Sequence, residues 1–344
     1  METGKCPLTW SRKMKKFFLG VDIGNTKSHA LICDDQGRVM GFARAGCGNH
    51  EVIGYELFAE LIQFLAGDAL RSAGITTQQV SGAGFGIAGF DWPGQYEPLF
   101  RGIQGIGLNC PTKLVNDTLI GLVAGASRGW GIGLVAGTGS NCWGMDESGH
   151  IGRMTGLSHL MDEGGGAGSI VLWAIQAVGR AWTRRGPETT LTGLLLEHMG
   201  EIDIVNLLQR LGEQGAQIDA GLAPRVIECA RRGDGVAQGI IHRAAESLAS
   251  LCLGVSRQLD LLQKPVEVVL IGSVFKAGQV LIDPLTGHIL QDIPQASLTR
   301  LEAPPVVGGV LLGMKEAGFS PGLDEVQHIK VSTTDLVESL DRED

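Results

Sequence analysis

The sequence predicts an α/β protein with two related halves, and three observations support this fold class. Short apolar runs of strand length alternate with longer stretches of helical periodicity. The segments "FLGVDIGNTKSHALI" and "IGLVAGTGSNCWGMD" share one order of strand, glycine turn and strand, which indicates a duplicated domain. Glycine supplies 52 of the 344 residues, where about 7% is typical, and the glycines end apolar runs, as expected for tight corners and close backbone approaches.

The first half is expected to follow a flexible arm at residues 1–15 and to occupy residues 16–117. Alternating apolar residues between turn signals predict three strands, at 17–22, 27–33 and 38–44. Apolar residues at helical spacing then predict a helix over 50–73, closed by Gly74. The runs "VSGAGFGIAG" and "TKLVND" predict two further strands, with a helix over 93–106 between them.

After Asp117 the same pattern begins again, so the second domain is expected over 118–320. A short helix over 118–127 leads to a second set of strands in "GIGLVAGTGS", "NCWGMDESGH" and "IGRM". Helical periodicity then predicts four helices, over 169–183, 203–212, 222–232 and 235–262. The run "VEVVLIGSV" predicts a buried strand, "PPVVGGVLLGMKEAG" a helix, and 321–344 a peripheral acidic tail.

Charge and cysteine usage exclude several function classes. The net charge is −9 and no Lys/Arg patch alternates with aromatic residues, so no nucleic-acid partner is expected. No apolar run approaches the roughly 18 residues that cross a membrane, so no membrane partner is expected either. The seven cysteines include no C-x-x-C pair, which argues against a disulfide framework and a structural zinc site and favours a reducing cytoplasm.

The two glycine turns, one in each half, are candidates for a phosphate-binding clamp. Their backbone N–H groups would face the phosphates, and the hydroxyls of Thr26, Thr138 and Ser140 would add donors. Glycine suits this role because a Cβ atom would hold the phosphate away from the backbone. Each turn by itself also fits an ordinary hairpin, and only the occurrence of two at equivalent points favours the ligand.

Two carboxylates end predicted strands next to these turns. Asp22 ends the first strand, where it could hold Mg²⁺ through water molecules, or could simply cap its own turn. Asp117 follows the apolar pair Leu114-Val115, where it could accept a proton from an attacking hydroxyl. It could equally be the N-cap of the following helix. A phosphate cradle, a metal and a base are what phosphoryl transfer requires.

Four segments resemble motifs of the BadF/BadG/BcrA/BcrD ATPase family, and within it those of N-acetylglucosamine kinases. "GVDIGNTKSHALICDDQGRV" resembles the first phosphate motif, and "GNHEVIG" the Asn-His pair of the sugar loop. "NDTLIGLVAGASRGWGIGLVAGTGSNCWGMDESG" resembles the catalytic aspartate segment with the second phosphate motif. "VVLIGSVFKAG" and "PPVVGGVLLGMKEAG" resemble the nucleoside-side strand and the closing helix. The resemblance covers residues 16–318.

The resemblance implies an actin-like ATPase fold of two ribonuclease-H-like domains, with the active site in the cleft between them. It also implies ATP and Mg²⁺ as cofactors, a homodimer, and Asp117 as the base that deprotonates a sugar hydroxyl. The residues implied to bind the nucleotide are Gly24, Asn25, Thr26, Lys27, Thr138, Gly139, Ser140, Gly272 and Ser273. Those implied to bind the sugar are Asn49, His50, Asn141 and Asp162.

One segment departs from the family pattern. Kinases of this type carry Trp-Gly shortly before Gly-Asp-Glu-Gly, whereas this chain has "GLSHLMDEGGGAG". The lost tryptophan would have covered a sugar face, so the identity of the sugar stays open. The expected function is an ATP-dependent kinase of an amino sugar of the N-acetylglucosamine or glucosamine type. An ATPase that activates an iron–sulfur dehydratase and a non-catalytic sugar sensor are the alternatives.

Overall fold

The computed structural model describes residues 15–214 and 219–343, so the expected arm lies outside the described residues except for Lys15. The described chain forms two sheets of five strands each. The strands are β1 (Phe17–Ile23), β2 (Ser28–Asp34), β3 (Val39–Ala45), β4 (Val80–Ile87), β5 (Thr112–Asn116), β6 (Gly131–Ala136), β7 (Ser140–Met145), β8 (Ile151–Arg153), β9 (Val266–Ile271) and β10 (Ala296–Arg300).

The α-helices surround and separate these sheets. They are α1 (His50–Ala73), α2 (Tyr96–Gln104), α3 (Asp117–Gly125), α4 (Ala167–Trp182), α5 (Leu191–Met199), α6 (Ile204–Gln214), α7 (Ala223–Arg231), α8 (Gly235–Gln258), α9 (Gln279–Asp292), α10 (Val306–Glu316) and α11 (Leu323–Glu343). No helix in the described ranges combines the length and the apolar character that crossing a membrane requires.

The two sheets have the same topology. In the first sheet the order is β3-β2-β1-β4-β5, and in the second it is β8-β7-β6-β9-β10. Each sheet has three antiparallel strands joined by short turns, followed by two strands parallel to the first of the three. The predicted α/β fold with two related halves is therefore confirmed.

Helix α1 shows how local sequence sets an element. The side chain of Asn49 accepts a hydrogen bond from the Glu51 N–H at 2.8 Å and so caps the N-terminus of the helix. The C-terminus is Gly74, whose φ of 65° is the left-handed conformation usual after a helix. The predicted bounds of 50–73 are confirmed, but Gly54 has φ 82° and interrupts the first turn.

Helices α3 and α10 lie between the two sheets and hold the halves together. Helix α10 packs on β1 and β4 of the first sheet, and α3 packs on α10 and on strands β6, β7 and β9 of the second. A Cβ atom on Gly308 would overlap the carbonyl oxygen of Ile120, and one on Gly309 would lie 3.0 Å from the Gly84 carbonyl oxygen. Much of the glycine excess therefore permits close packing of backbones in the interior.

Four elements were not predicted from the sequence: α5, α9, β10 and α11. Helix α11 occupies the segment expected to be a peripheral tail. It buries Ile329 completely, within an apolar cluster that includes Phe18 of β1. Helix α10 lies within the predicted second domain yet packs on the first sheet, so the domain boundaries at 117 and 320 remain a prediction.

Candidate active site

The carboxyl ends of three parallel strands of the first sheet bring the main acidic groups together. Asp22 of β1 lies opposite Gly86 of β4, and Gly86 lies opposite Val115 of β5. Asp117 follows β5 directly, and in open α/β sheets this edge is where ligands bind. Both carboxylates are half-buried and keep partial contact with solvent.

Asp117 is the first residue of α3, but its side chain is not needed to cap the helix. The N-cap is Asn116, whose side-chain oxygen accepts a hydrogen bond from the Thr118 N–H at 2.9 Å. One oxygen of Asp117 accepts from the same N–H at 2.9 Å. The cap expected of Asp117 under the alternative interpretation is therefore made by its neighbour, which frees Asp117 for a chemical role.

Burial raises the pKa of both carboxylates. The pKa of Asp117 rises to about 7, first through burial and second through the negative charge of Asp91. The pKa of Asp22 rises to about 8, first through burial and second through the charge of Asp117. Carboxylates with strongly raised pKa values are typical of functional sites, because a bound ligand or metal can offset the unfavourable free energy of their ionisation.

Asp91 belongs to this group, although nothing in the sequence singled it out. Burial first, and then the charge of Glu51, raise its pKa to about 6, while a hydrogen bond from Asn141 opposes the shift. One of its oxygens also accepts from the Asn116 amide at 3.3 Å. Since Asn141 lies on β7, Asp91 connects the first half to the second at the cleft.

The first hairpin turn, residues 24–27, joins β1 to β2 and leaves Asn25, Thr26 and Lys27 exposed. The Asn25 side-chain oxygen accepts a hydrogen bond from the Asn49 amide at 2.7 Å. The Gly24 carbonyl oxygen accepts from the Gly48 N–H at 3.1 Å. The turn predicted to bind phosphate is thus tied directly to the segment predicted to bind sugar.

The second hairpin turn, residues 137–140, joins β6 to β7 and sits on the N-terminus of α4. The carbonyl oxygens of Gly137 and Thr138 accept hydrogen bonds from the α4 N–H groups of Ala167 and Gly168, each at 2.9 Å. The Ser140 hydroxyl is buried and donates to the carbonyl oxygens of Glu163 and Gly164, at 2.7 and 3.0 Å. The exposed residues of this turn are Thr138 and Gly139.

Two further predicted nucleotide residues lie beside this turn. Gly272 follows β9 with φ 113°, and a Cβ atom there would approach the Gly137 backbone nitrogen to 3.3 Å. Gly272 and Ser273 are both exposed. The predicted nucleotide residues of the second half are therefore neighbours in space, on the exposed ends of β6 and β9.

The sugar loop, residues 155–166, is organised by Glu163 and not by its predicted neighbour Asp162. The buried Glu163 carboxylate accepts hydrogen bonds from the N–H groups of Thr155 and Gly156, at 2.7 and 2.9 Å. Asp162 has a left-handed φ of 58° and an exposed side chain. Its role in binding sugar remains a prediction.

His50 is the predicted sugar residue with the most unusual surroundings. Its ring is buried and stacks on Tyr55, with 4.9 Å between the ring centroids. Neither ring nitrogen has a hydrogen-bond partner among the residues that the structure describes. Burial lowers the pKa of His50, so the ring is held neutral with two polar atoms that a ligand can satisfy.

Arg153 forms a second contact across the cleft that the sequence did not reveal. Its guanidinium lies 4.6 Å from the ring of Trp92, which belongs to the first half, and 5.3 Å from the ring of Trp143 on β7. Such stacking is favourable and directional. Together with the contact between Asp91 and Asn141, it connects the first half of the chain to the second.

Comparison with characterised proteins identifies two similar sequences. An N-acetylmuramic acid/N-acetylglucosamine kinase from Clostridium acetobutylicum is 26% identical over 304 residues, covering 88% of this chain and 99% of the relative. An N-acetyl-D-glucosamine kinase from Dictyostelium discoideum is 25% identical over 313 residues, covering 87% of this chain and 98% of the relative.

Solved structures share the fold. A provisionally assigned N-acetylglucosamine kinase from Chromobacterium violaceum aligns with a TM-score of 0.65 and 23% identity, over 86% of this chain and 98% of its own. A ROK family glucokinase from Streptomyces griseus, solved with glucose and AMPPNP, aligns with a TM-score of 0.56 and 20% identity, over 87% of this chain and 99% of its own. These likenesses confirm the predicted two-domain, actin-like fold.

The family predicted from the four sequence motifs also matches the chain well beyond those motifs. The model of that family matches residues 19–313, which include both hairpin turns, the three cleft carboxylates and the sugar loop. The protein belongs to the BadF/BadG/BcrA/BcrD ATPase family.

Proposed function

We propose that this protein is an ATP-dependent kinase that transfers the γ-phosphoryl group to a hydroxyl of an amino sugar of the N-acetylglucosamine or glucosamine type. The observation that carries the proposal is Asp117, a carboxylate with a pKa of about 7 where the strand ends of the first sheet meet the cleft. The names of the two similar kinases support the choice of substrate class.

Asp117 is the general base of the proposed reaction. The sugar hydroxyl donates its proton to the Asp117 carboxylate as the hydroxyl oxygen attacks the γ-phosphorus, and ADP leaves. A base with a pKa near the operating pH is the most effective, because a substantial fraction of it is ionised and the ionised form still binds the proton well. The Thr118 N–H and the Asn116 cap hold this carboxylate in place.

The residues around Asp22 fit a bound Mg²⁺ ion. Burial, and after it the negative charge of Asp117, raise the pKa of Asp22 to about 8, and a divalent cation would favour the ionised form of both carboxylates. Mg²⁺ usually takes one or two carboxylates and completes its shell with water and substrate phosphates. When bound, it would supply positive charge to the phosphates of ATP.

The two hairpin turns are proposed to hold the ATP phosphates, with Gly272 and Ser273 along the adenosine. In the second turn, helix α4 engages the carbonyl oxygens of Gly137 and Thr138, and the Gly137 N–H donates to the Gly139 carbonyl oxygen, so the N–H groups of Thr138 and Gly139 are the ones proposed to face the phosphates. Its Ser140 hydroxyl is already donated to two carbonyl oxygens, so the backbone of Ser140 is proposed to make the phosphate contact.

On the sugar side we propose Asn49, His50, Asn141 and Asp162, together with Asp91. The unsatisfied ring nitrogens of His50 and the hydrogen-bonded pair of Asp91 and Asn141 offer donors and acceptors for hydroxyl or acyl groups. Buried polar groups of this kind discriminate strongly among sugars, because a wrong substituent leaves them unpaired.

An ADP-release assay with ATP and Mg²⁺ tests the proposed function. The acceptors are N-acetylglucosamine, glucosamine, N-acetylmuramic acid and glucose, and we expect the highest kcat/KM with a 2-amino sugar. ADP release that no sugar accelerates contradicts the proposal. ADP release without Mg²⁺ at an equal rate contradicts the metal site.

The dehydratase activator is the alternative within the same family. It needs accessible cysteines that hold an iron–sulfur cluster, whereas Cys142, which follows Asn141, is fully buried against Cys252. Anaerobic iron analysis of the purified protein decides between them. The sensor alternative predicts sugar binding without sugar-dependent ADP release, so the ADP assay together with calorimetric titration of the sugar distinguishes it.

The oligomeric state and the compartment are also proposals. We propose a homodimer, which light scattering can check. We propose a cytoplasmic location because the six cysteines in the described ranges are free thiols, as in a reducing compartment. Fractionation of cells that make the protein is the corresponding test.

A further inference from the structure

A cavity of about 310 Å³ lies between α4 and α8, outside the candidate active site. Trp173 and Arg180 line it from α4, Arg243 lines it from α8, and Arg185 closes it from the segment that follows α4. This volume is at the lower end of the range for small-molecule sites. The cavity therefore combines three guanidinium groups with one aromatic face.

Within the part of the chain that the structure describes, these three arginines have no acidic partner, whereas arginines on two adjacent helices do. On the adjacent helices Arg225 pairs with Glu197, and Arg232 pairs with Glu228 at 2.9 Å. Arg180, Arg185 and Arg243 form no ion pair among residues 15–214 and 219–343. All three side chains are exposed to solvent, and three cations around one cavity make it locally attractive to anions in a chain whose net charge is −9.

The geometry of Arg243 suits anion binding. Its guanidinium lies 4.2 Å from the centroid of the Trp173 ring. Stacking holds the guanidinium plane in place and leaves its N–H edge free to donate. The Arg185 Nε donates to the Thr183 hydroxyl at 3.0 Å, which orients this second guanidinium as well.

The carboxylate of Asp234, at the start of α8, is already fully engaged. One oxygen accepts from the N–H groups of Val236 and Ala237, each at 2.9 Å. The other accepts from the Thr189 hydroxyl at 2.9 Å and from the Thr190 N–H at 2.7 Å. Asp234 thus fastens the loop before α5 to α8 and stiffens the frame of the cavity.

Helix stability alone does not explain why the three arginines lie around one cavity. A cation in the last turn of α4 interacts favourably with the helix dipole, which explains Arg180. Arg243, however, lies inside α8, and Arg185 lies beyond the end of α4. Their convergence on one cavity needs another reason.

We propose that this cavity binds a phosphoryl dianion, carried by inorganic phosphate or by a small phosphorylated metabolite. Guanidinium groups match the oxygens of phosphate with paired hydrogen bonds, and several of them give both affinity and selectivity for a dianion. The site is separate from the proposed ATP and sugar sites and does not depend on catalysis.

Isothermal titration calorimetry of the full chain without nucleotide tests the proposal. The probes are inorganic phosphate and glucose 6-phosphate, and tighter binding of one identifies the source of the phosphoryl group. We expect Arg180→Gln and Arg243→Gln each to weaken binding about tenfold, the usual effect of losing one charge-assisted hydrogen bond. The double variant should show no measurable binding.

Arg184→Gln is the matched control, because Arg184 is an exposed neighbour that does not line the cavity. It should bind both probes like the wild type. The melting temperature should be unchanged in this control and in the cavity variants. Binding that survives in the double variant places the anion elsewhere and overturns the proposal. Absence of millimolar binding of either probe to the wild type overturns it too. If the double variant does not fold, Arg185→Gln is the second test: we expect about tenfold weaker binding, and unchanged affinity overturns the proposal.

Discussion

Glycine has opposite functions at the centre of the molecule and in the cleft. At the centre, α10 approaches α3, β1 and β4 so closely that neighbouring backbone fills the Cβ positions of Gly308, which faces α3, and of Gly84 and Gly20, which face α10. In the second hairpin turn, a Cβ atom on Gly137 or Gly139 would meet nothing within 4 Å. The same residue type serves close packing in one region and open space for a ligand in the other.

The two regions also differ in what they contribute to stability. The centre contains apolar side chains and paired backbone groups, and its close packing favours the folded state. The cleft collects Asp22, Asp91 and Asp117, whose raised pKa values mean that their ionisation opposes folding. Variants at the centre should therefore alter stability first, and variants in the cleft should alter activity first.

The largest effect is expected from Gly308→Ala. The added methyl group would overlap the Ile120 carbonyl oxygen and separate α10 from α3. We expect a loss of about 3 kcal/mol or more, and so a melting temperature lower by roughly 10 °C or no soluble protein. Gly287→Ala is the control, since Gly287 also lies within a helix but has an open Cβ position. A melting temperature equal to that of the control would show that stability does not depend on close backbone packing at Gly308.

Asp117→Asn should reduce kcat at least about 100-fold, as expected for loss of a general base. The structure around the carboxylate should persist, because Asn116 caps α3. Nucleotide affinity should therefore stay within about threefold of the wild type when measured by calorimetry. Unchanged turnover would falsify the assignment of Asp117 as the base.

Gly139→Ala should weaken ATP binding about tenfold and leave the melting temperature unchanged. The methyl group has room within the protein but would occupy the space proposed for phosphate, at the cost of a charge-assisted hydrogen bond. Gly179→Ala is the control, because Gly179 has an open Cβ position outside the proposed site. Equal ATP affinity in both variants would show that the turn does not cradle phosphate.

Asp22→Asn should stabilise the metal-free protein at high pH. The pKa of Asp22 rises on folding from 3.8 to about 8, so the folded state binds more protons than the unfolded state between these values. Wild-type stability contributed by this group therefore falls as the pH rises from about 4 to 8, and the variant avoids this loss. Melting scans should show an advantage that grows with pH and reaches at least roughly 2–4 °C. A constant difference across this range would contradict the assignment.

Asp91→Asn should cause the smallest change, a shift in the pH profile. The charge of Asp91 raises the pKa of Asp117, so its removal makes Asp117 easier to ionise. The acid limb of kcat/KM, expected near pH 7 in the wild type, should move to lower pH. A shift to higher pH, or none, would mean that Asp91 does not act on the base.

Local patterns in the sequence predicted most of the strands and the longer helices. The predicted strands at 17–22, 27–33 and 38–44 differ from β1, β2 and β3 by one residue at one or both ends. Helix α9 was missed because Pro284 and Gly287 interrupt its helical signal. Strand β10 is short and partly exposed, so its apolar alternation is weak.

The site was only partly predictable for a different reason. Asp22 and Asp117 end apolar runs, which is a local signal. Asp91 became part of the site only through Asn116 and Asn141, which are distant in sequence. Asp162 and Glu163 are adjacent, and the left-handed backbone at Asp162 turns Glu163 into the interior.

The sequence alone determined the duplicated order of strands and turns, the glycine-rich corners and the two carboxylates beside them. These features depend on backbone preferences and on the alternation of apolar residues, which act between near neighbours. Only the tertiary structure decided that α10 returns to the first sheet, that Asp91 joins the carboxylates and that three arginines share one cavity. Each depends on contacts between segments far apart in the chain, where shape and charge must match in space.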